Sequence, residues 1–211
     1  MKKALIFDLD GTLLDSMSAW DTVGLEYLIH KAINDIPSNI MELLRPMSVV
    51  DAAKYFIAEF GFKLSPQQIC DEINEMIEDR YKHDIQPKEG VYEFLLQNKD
   101  RKMCIATATD RHLVEFALKR LGLEKYFEFI ITSTDVGCSK QKPDIFIKAA
   151  ERLGLETDMC VVFEDAIHAI KSAKSGGFYT VGVYDKSFDS EQETIKNYAD
   201  QYVYNLNDVI L

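Results

Sequence analysis

Short apolar runs alternate with longer stretches of helical periodicity along most of the chain. The runs typical of buried strands are Ala4–Phe7, Met103–Ala106, Glu128–Thr132, Cys160–Phe163 and Thr180–Val183, with Tyr202–Tyr204 as a weaker sixth. The stretches with helical spacing between them are Gly90–Asn98, Asp110–Leu121, Asp144–Leu153, Ala166–Ser175 and Glu191–Tyr198. Such alternation predicts an α/β fold, in which a parallel sheet carries helices on both of its faces.

The segment between the first and second predicted strands is too long for a single crossover connection. Most of it shows helical periodicity, which is clearest from Val49 to Phe60, and prolines at 37, 66 and 87 interrupt it. We therefore predict a helical insert over residues 15–84, within a core formed by residues 1–14 and 85–211. An insert at this point is expected to cover the residues after the first strand, as a lid that excludes water.

Composition narrows the classes of protein that fit. The chain has 211 residues, of which 47% are hydrophobic, and its formal charge of −11 disfavours nucleic acid and anionic membranes as partners. No apolar run reaches the roughly 20 residues of a membrane span, and a strand near the N-terminus leaves no room for a secretory signal. We expect a cytoplasmic protein, a monomer or weak dimer, with reduced cysteines and no zinc site.

The first predicted strand ends on two carboxylates, in the run Asp8-Leu9-Asp10-Gly11-Thr12. Side chains two residues apart on a strand point the same way, and ligands of parallel sheets bind at the carboxyl ends of the strands. Two adjacent carboxylates repel each other unless a cation or a shared proton compensates. A metal-assisted reaction accounts for both acids, although Asp10-Gly11 is also a common turn sequence.

The next two predicted strands are followed by groups that suit an anion. The second ends on Thr107-Ala108-Thr109-Asp110, where a hydroxyl and backbone N–H groups precede a helix, as in phosphate cradles. The alternative is that Thr109 or Asp110 only caps that helix. After the third strand, Lys140 lies in a loop before a helix, where its charge would hold a phosphoryl oxygen and offset crowded carboxylates.

The fourth predicted strand also ends on acids, Glu164 and Asp165. Asp165 could complete an oxygen shell for Mg2+, which keeps several waters and needs only one or two carboxylates. The alternative is that Asp165 caps the following helix. A metal ion together with a lysine would also let so acidic a protein bind a phosphorylated substrate.

These four sequence elements, in this order along the chain, resemble the motifs of the haloacid dehalogenase-like superfamily of hydrolases: Asp-x-Asp-Gly-Thr, then Thr, then Lys, then Glu-Asp. The sequences around Thr107 and Glu164 are similar to those of the branch that contains beta-phosphoglucomutase and related small-molecule phosphatases. The helical insert resembles the C1 cap of that superfamily. The resemblance covers essentially the whole chain and implies a Rossmann-like core with an inserted α-helical cap domain. It also implies Mg2+-dependent hydrolysis of a small phosphorylated metabolite through an aspartyl-phosphate.

The resemblance implies a role for each residue at the strand ends. Asp8 would be the nucleophile, and Asp10 would be the general acid–base, with its backbone carbonyl on the metal. Thr107 and Ala108 would bind the phosphoryl group, and Lys140 would stabilise its charge.

The remaining acids would serve the metal, with Asp165 binding Mg2+ and Glu164 acting as a ligand or supporting Asp165. The family often shows Lys-Pro-x-Pro-Asp where this chain has Lys140-Gln141-Lys142-Pro143-Asp144. Counting back from Pro143 selects Lys140, but Lys142 remains an alternative.

Residues of the insert and its surroundings are expected to select the substrate, and the candidates are Asp15, Trp20, Arg45 and Arg111. For each of them a surface, capping or packing role is an equal alternative. Family mutases usually carry a histidine on the first cap helix, where this chain has Trp20, which disfavours a sugar-phosphate mutase. A phospho-receiver switch uses a similar set of residues, but the helical insert argues against it.

Overall fold

The computed structural model describes residues 2–44, 47 and 49–211. The chain divides into two compact units, one formed by Met1–Ser16 with Ile85–Leu211 and the other by Met17–Asp84. The α-helices of the described residues are α1 (Met17–His30), α2 (Ile40–Leu44), α3 (Val49–Phe60), α4 (Pro66–His83), α5 (Val91–Gln97), α6 (Arg111–Leu121), α7 (Ser133–Val136), α8 (Asp144–Leu153), α9 (Ile167–Ser175) and α10 (Gln192–Tyr198).

The first unit is built on a six-stranded sheet in which every pairing is parallel. Its strands are β1 (Ala4–Phe7), β2 (Lys102–Thr107), β3 (Ile130–Thr132), β4 (Cys160–Glu164), β5 (Tyr179–Val183) and β6 (Gln201–Val203), in the spatial order β3-β2-β1-β4-β5-β6. The prediction of a parallel α/β sheet is confirmed. β1 is buried along its whole length, as expected for a central strand without polar side chains.

Register brings the ends of the central strands together. Phe7 of β1 lies opposite Ile105 of β2 and Phe163 of β4, and Glu164 lies opposite Gly182 of β5. Because parallel strands end at one edge of a sheet, the polar residues that follow β1, β2 and β4 share that edge. This is the place where the sequence concentrates its carboxylates and hydroxyls.

Helices cover both faces of the sheet, because side chains of each strand alternate between the two faces. One face packs against α8 and α9, through Phe146 and Ala173 among other buried residues. On the opposite face Phe7 stacks on Phe163 with ring centroids 4.5 Å apart. Phe94 of α5 packs edge-on against these two rings at 6.2 and 5.5 Å.

β1 has its predicted bounds, β2, β4 and β5 are one residue longer than predicted at one or both ends, and the other two predicted strands differ in other ways. The strand predicted at 128–132 begins at Ile130, because a 3₁₀ turn ends at Tyr126 just before it. The backbone between them still bonds to β2, since the Glu128 N–H donates to the Met103 carbonyl (2.8 Å) and the Phe129 carbonyl accepts from the Ile105 N–H (3.2 Å). At the sheet edge the strand predicted at Tyr202–Tyr204 is shifted by one residue, and Tyr204 is exposed.

The second unit consists of α1 to α4, arranged around an aromatic cluster. The Tyr27 ring stacks on Phe56 and on Phe62 at centroid distances of 5.8 Å. α4 starts with a capping box, in which Ser65 and Gln68 satisfy each other's backbone N–H groups. No helix of the described residues has both the length and the hydropathy needed to cross a bilayer.

Phe94→Ala should lower the free energy of unfolding by about 3–5 kcal/mol, because it opens a cavity between α5 and the sheet. Leu96→Ala changes a residue of the same helix that is 56% exposed, and should stay within about 0.5 kcal/mol of the wild type. Urea unfolding followed by circular dichroism measures both. Equal losses in the two variants would contradict this account of the core.

Candidate active site

Asp8 is fixed by the backbone at the end of β1. Its N–H donates to the Phe163 carbonyl of β4 (2.9 Å), and its side chain is buried. A tight turn follows, in which Gly11 adopts a φ of +77° and donates its N–H to the Leu14 carbonyl (2.9 Å). Glycine suits this position because a side chain would strain the left-handed backbone.

Lys140 comes from the loop between α7 and α8 and its side chain is buried beside Asp8. Its Nζ donates to Asp8 Oδ1 and, at 2.7 Å, to Glu164 Oε1. Lys142 is exposed. The structure therefore brings Lys140, rather than Lys142, to the two carboxylates.

Glu164 and Asp165 have different surroundings. Glu164 Oε2 accepts the backbone N–H groups of Asp165 and Ala166, both at 3.1 Å, while its other oxygen accepts from Lys140. Asp165 Oδ2 is buried and has no hydrogen-bond partner among the described residues. Oxygens of Asp8, Glu164 and Asp165 all lie within 4.8 Å of one another.

The pKa values of Asp8, Asp165 and Lys140 are all raised in this cluster. Burial raises the pKa of Asp8 to about 8, against the pull of the Lys140 charge, and the charges of Glu164 and Asp10 add to the rise. Burial also raises the pKa of Asp165, and the neighbouring charges of Glu164 and Asp8 act in the same direction. Burial alone would lower the pKa of Lys140, but the charges of Asp8 and Glu164 raise it.

The cluster fits a hard divalent cation. The cluster holds three buried carboxyl groups and one ammonium group, so a cation would favour ionisation of the acids whose pKa is raised. The orphaned Oδ2 of Asp165 is an oxygen that a cation would satisfy, and carboxylate oxygens are the ligands that Mg2+ prefers. Asp8 and Asp165 suit the role of direct ligands, since both oxygens of Glu164 are already hydrogen-bonded.

Asp10 lies in a different environment, defined by two hydroxyl groups. Ser16 Oγ donates to Asp10 Oδ1 and Thr109 Oγ1 donates to Asp10 Oδ2, both at 2.5 Å. Asp10, Ser16 and Thr109 are all buried. Sequence reasoning missed both donors: the hydroxyl of Thr109, two residues after Thr107, was a signal, whereas nothing in the sequence pointed to Ser16.

Thr107 is buried at the end of β2, and its Oγ1 accepts the N–H of Thr109 at 3.1 Å. A hydroxyl that accepts one bond retains its own proton for donation to a ligand. Ala108 is exposed directly after it. α6 begins at Arg111 with Asp110 as its N-cap residue, whose side chain makes no capping hydrogen bond.

The four residues expected to select the substrate differ in their exposure and in their contacts. Asp15 is exposed. Within the second unit, Trp20 Nε1 donates to Tyr81 Oη (2.8 Å), which is a packing contact. The guanidinium of Arg111 binds Asp135 (2.6 Å). Arg45 lies outside the described residues.

Comparison with known proteins gives the family. The model of the haloacid dehalogenase-like hydrolases matches residues 2–177. Fructose-1-phosphate phosphatase YqaB of Escherichia coli is 30% identical over 85% of this chain and 95% of its own length. The phosphorylated carbohydrates phosphatase of Thermotoga maritima is 27% identical over 83% of this chain and 82% of its own.

Among solved structures, a beta-phosphoglucomutase from Clostridium difficile is similar, with a TM-score of 0.76 and 26% identity over 100% of this chain and 94% of that one. The family match spans both carboxylate pairs, Thr107 and Lys140. The resemblance stated from the motifs is thereby confirmed: this chain is an enzyme of the haloacid dehalogenase-like hydrolase family.

Proposed function

We propose that this hydrolase is an Mg2+-dependent phosphatase, which cleaves the phosphate monoester of a small metabolite through an aspartyl-phosphate on Asp8. The observation that carries the proposal is the buried cluster of Asp8, Glu164 and Asp165 around the Lys140 ammonium. It combines a nucleophile, a fixed positive charge and an oxygen-rich place for a cation. Relatives that are named phosphatases support the same class, a phosphoric monoester hydrolase.

In the first step, a carboxylate oxygen of Asp8 attacks phosphorus and the bond from phosphorus to the alcohol oxygen breaks. Lys140 orients Asp8 and would balance the charge that develops on the phosphoryl oxygens, while Thr107 would donate to one of them. When bound at Asp8 and Asp165, Mg2+ would reduce the repulsion between carboxylate and phosphate.

Asp10 would transfer the protons of both steps. It protonates the departing alkoxide, and it then removes a proton from the water that releases inorganic phosphate from Asp8. The hydroxyls of Ser16 and Thr109 fix the direction of its carboxylate.

The proposed substrate class is a phosphorylated carbohydrate or a similar small phosphate monoester. Its support comes from the two relatives, which are named for such substrates. The charge of −11 argues against nucleic acid or an anionic membrane as a partner, and the proposed setting is cytoplasmic, as a monomer or weak dimer.

A sugar-phosphate mutase is the second candidate, because a beta-phosphoglucomutase shares the fold at 26% identity. A mutase needs a bisphosphate activator and returns the phosphoryl group to sugar, whereas a phosphatase releases it to water. Assays of phosphate release and of sugar-phosphate isomerisation, with and without bisphosphate, separate the two. The match to a hydrolase family argues against a phospho-receiver switch.

Asp8→Asn should lower phosphate release from a panel of phosphate monoesters by at least about 1,000-fold, because the amide is a poor nucleophile. Asp100→Asn, which changes an exposed acid between α5 and β2, should leave the rate within about twofold. Release of inorganic phosphate is measured with Mg2+ and with chelator. Substantial turnover by Asp8→Asn would remove Asp8 as the nucleophile.

Thr109→Val keeps the shape of the side chain but removes one of the two donors to Asp10. We expect kcat to fall about tenfold, since general acid–base catalysis depends on the position of the carboxylate, while KM changes little. Thr134→Val, at an exposed threonine, serves as the control. An unchanged kcat in the Thr109 variant would show that the Thr109 hydroxyl does not position Asp10 for catalysis.

The pKa of Asp8 predicts how stability depends on pH. An acid whose pKa is raised from 3.8 to about 8 by folding stabilises the folded state at low pH, and this contribution disappears as pH rises through 8. Without metal, the melting temperature should therefore fall between pH 6 and pH 8. Mg2+ should raise it more at pH 8, because only ionised Asp8 binds the cation.

Thermal melts in chelator and in Mg2+ at both pH values measure this effect. Asp8→Asn is the matched variant, since it has no proton to lose, and its melting temperature should change less between pH 6 and pH 8. A metal-free wild type whose stability rises over this interval would contradict the predicted sign.

A further inference from the structure

Lys88 binds three groups near the site although it belongs to no motif described above. Its Nζ donates to the Gly11 carbonyl at 2.6 Å, to the Tyr184 carbonyl, and to Asp185 Oδ2 at 3.0 Å. The side chain is 17% exposed, so these bonds form largely away from water. Lys88 thus joins the turn after β1 to the residues after β5.

Asp185 is a buried acid that is likewise outside the motifs. Its Oδ1 accepts the N–H of Ser187 at 2.9 Å, while Oδ2 accepts from Lys88. A buried carboxylate without a cation is costly, so the Lys88 ammonium is the compensation that the described structure supplies.

Strand order places this pair beside the acidic cluster. In the sheet β4 lies between β1 and β5, and Asp165 directly follows β4. A side chain that binds both the turn after β1 and the residues after β5 therefore spans the end of β4. Among the charges that act on the Asp165 carboxylate, that of Asp185 comes after those of Glu164 and Asp8.

We propose that Lys88 and Asp185 form a charge-compensated pair that sets the electrostatic potential at the metal site, with Lys88 as a positioning residue for the turn that carries Asp10. This inference rests on the proposed function, because it concerns the cation that Asp8 and Asp165 would bind. The pair keeps Asp185 from adding a further uncompensated negative charge beside three carboxylates.

The two members of such a pair should have opposite effects on cation binding. Lys88→Met leaves the Asp185 charge uncompensated, so the dissociation constant of Mg2+ should fall about three- to tenfold. Asp185→Asn leaves the Lys88 charge uncompensated, so the constant should rise by a similar factor. The double variant should return to within about twofold of the wild type, since both charges are gone.

The experiment is calorimetric titration of the full chain with Mg2+ alone, without substrate. Lys174→Met is the matched control. Lys174 also donates to one backbone carbonyl, that of Tyr198, and to one aspartate, Asp200, but its side chain is 34% exposed. This variant should leave the Mg2+ constant unchanged. Melting temperatures of the metal-free variants report their folding independently of binding.

Shifts of opposite sign that cancel in the double variant support the pair. Shifts of the same sign, or none, overturn it, because a role in stability alone does not reverse with the sign of the charge removed. If Lys88→Met does not fold, Asp185→Asn decides the question alone: weaker binding supports the pair and unchanged binding overturns it. A folded wild type that binds no Mg2+ overturns the proposed function as well.

Discussion

The Lys140 ammonium, buried between Asp8 and Glu164, is the interaction on which the site depends. Carboxylates lose hydration when buried, and they gather only if positive charge offsets their repulsion. One lysine offsets part of it, and Asp165 Oδ2 remains without a partner among the described residues. The folded chain therefore buries an excess of carboxyl groups over ammonium groups, and without a cation this raises the pKa of Asp8 and of Asp165. That excess is the physical reason for a cation and, with it, for the binding of an anionic phosphate by an acidic protein.

The parallel sheet brings these charged side chains together at a low cost in conformational entropy. Asp8 and Asp165 directly follow strands and Glu164 ends one, so their backbones are held by the sheet, while Lys140 comes from the loop before α8, which packs on the sheet. Asp8 shows this most clearly, since its own N–H is bonded to β4. Preorganisation of this kind lets charged groups face one another without reorganising when a ligand arrives.

Much of this arrangement could be predicted from the sequence, because the spacing of apolar residues indicates where strands and helices lie. α8 begins and ends where the apolar spacing indicated, and β1 likewise matches its predicted bounds. The acids at strand ends followed from the same reasoning. The two hydroxyl donors to Asp10, Ser16 and Thr109, could not be predicted in this way. A hydroxyl produces no periodic pattern in the sequence, and its partner depends on how loops meet. Lys88 and Asp185 were missed because their partners, too, depend on how loops meet. The structure decides between the two lysines, since Lys140 is buried against Asp8 and Glu164 whereas Lys142 is exposed.

The contrast between Asp8 and Asp10 shows how the fold assigns different chemistry to two neighbouring carboxylates. Asp8 is paired with an ammonium group and lies close to two other acids, so charged neighbours dominate its surroundings. Asp10 accepts hydrogen bonds from two neutral hydroxyls, which direct its oxygens. A nucleophile requires the first environment and a proton carrier the second. Side chains from distant loops create the difference, so the spacing of the two residues alone does not assign their roles.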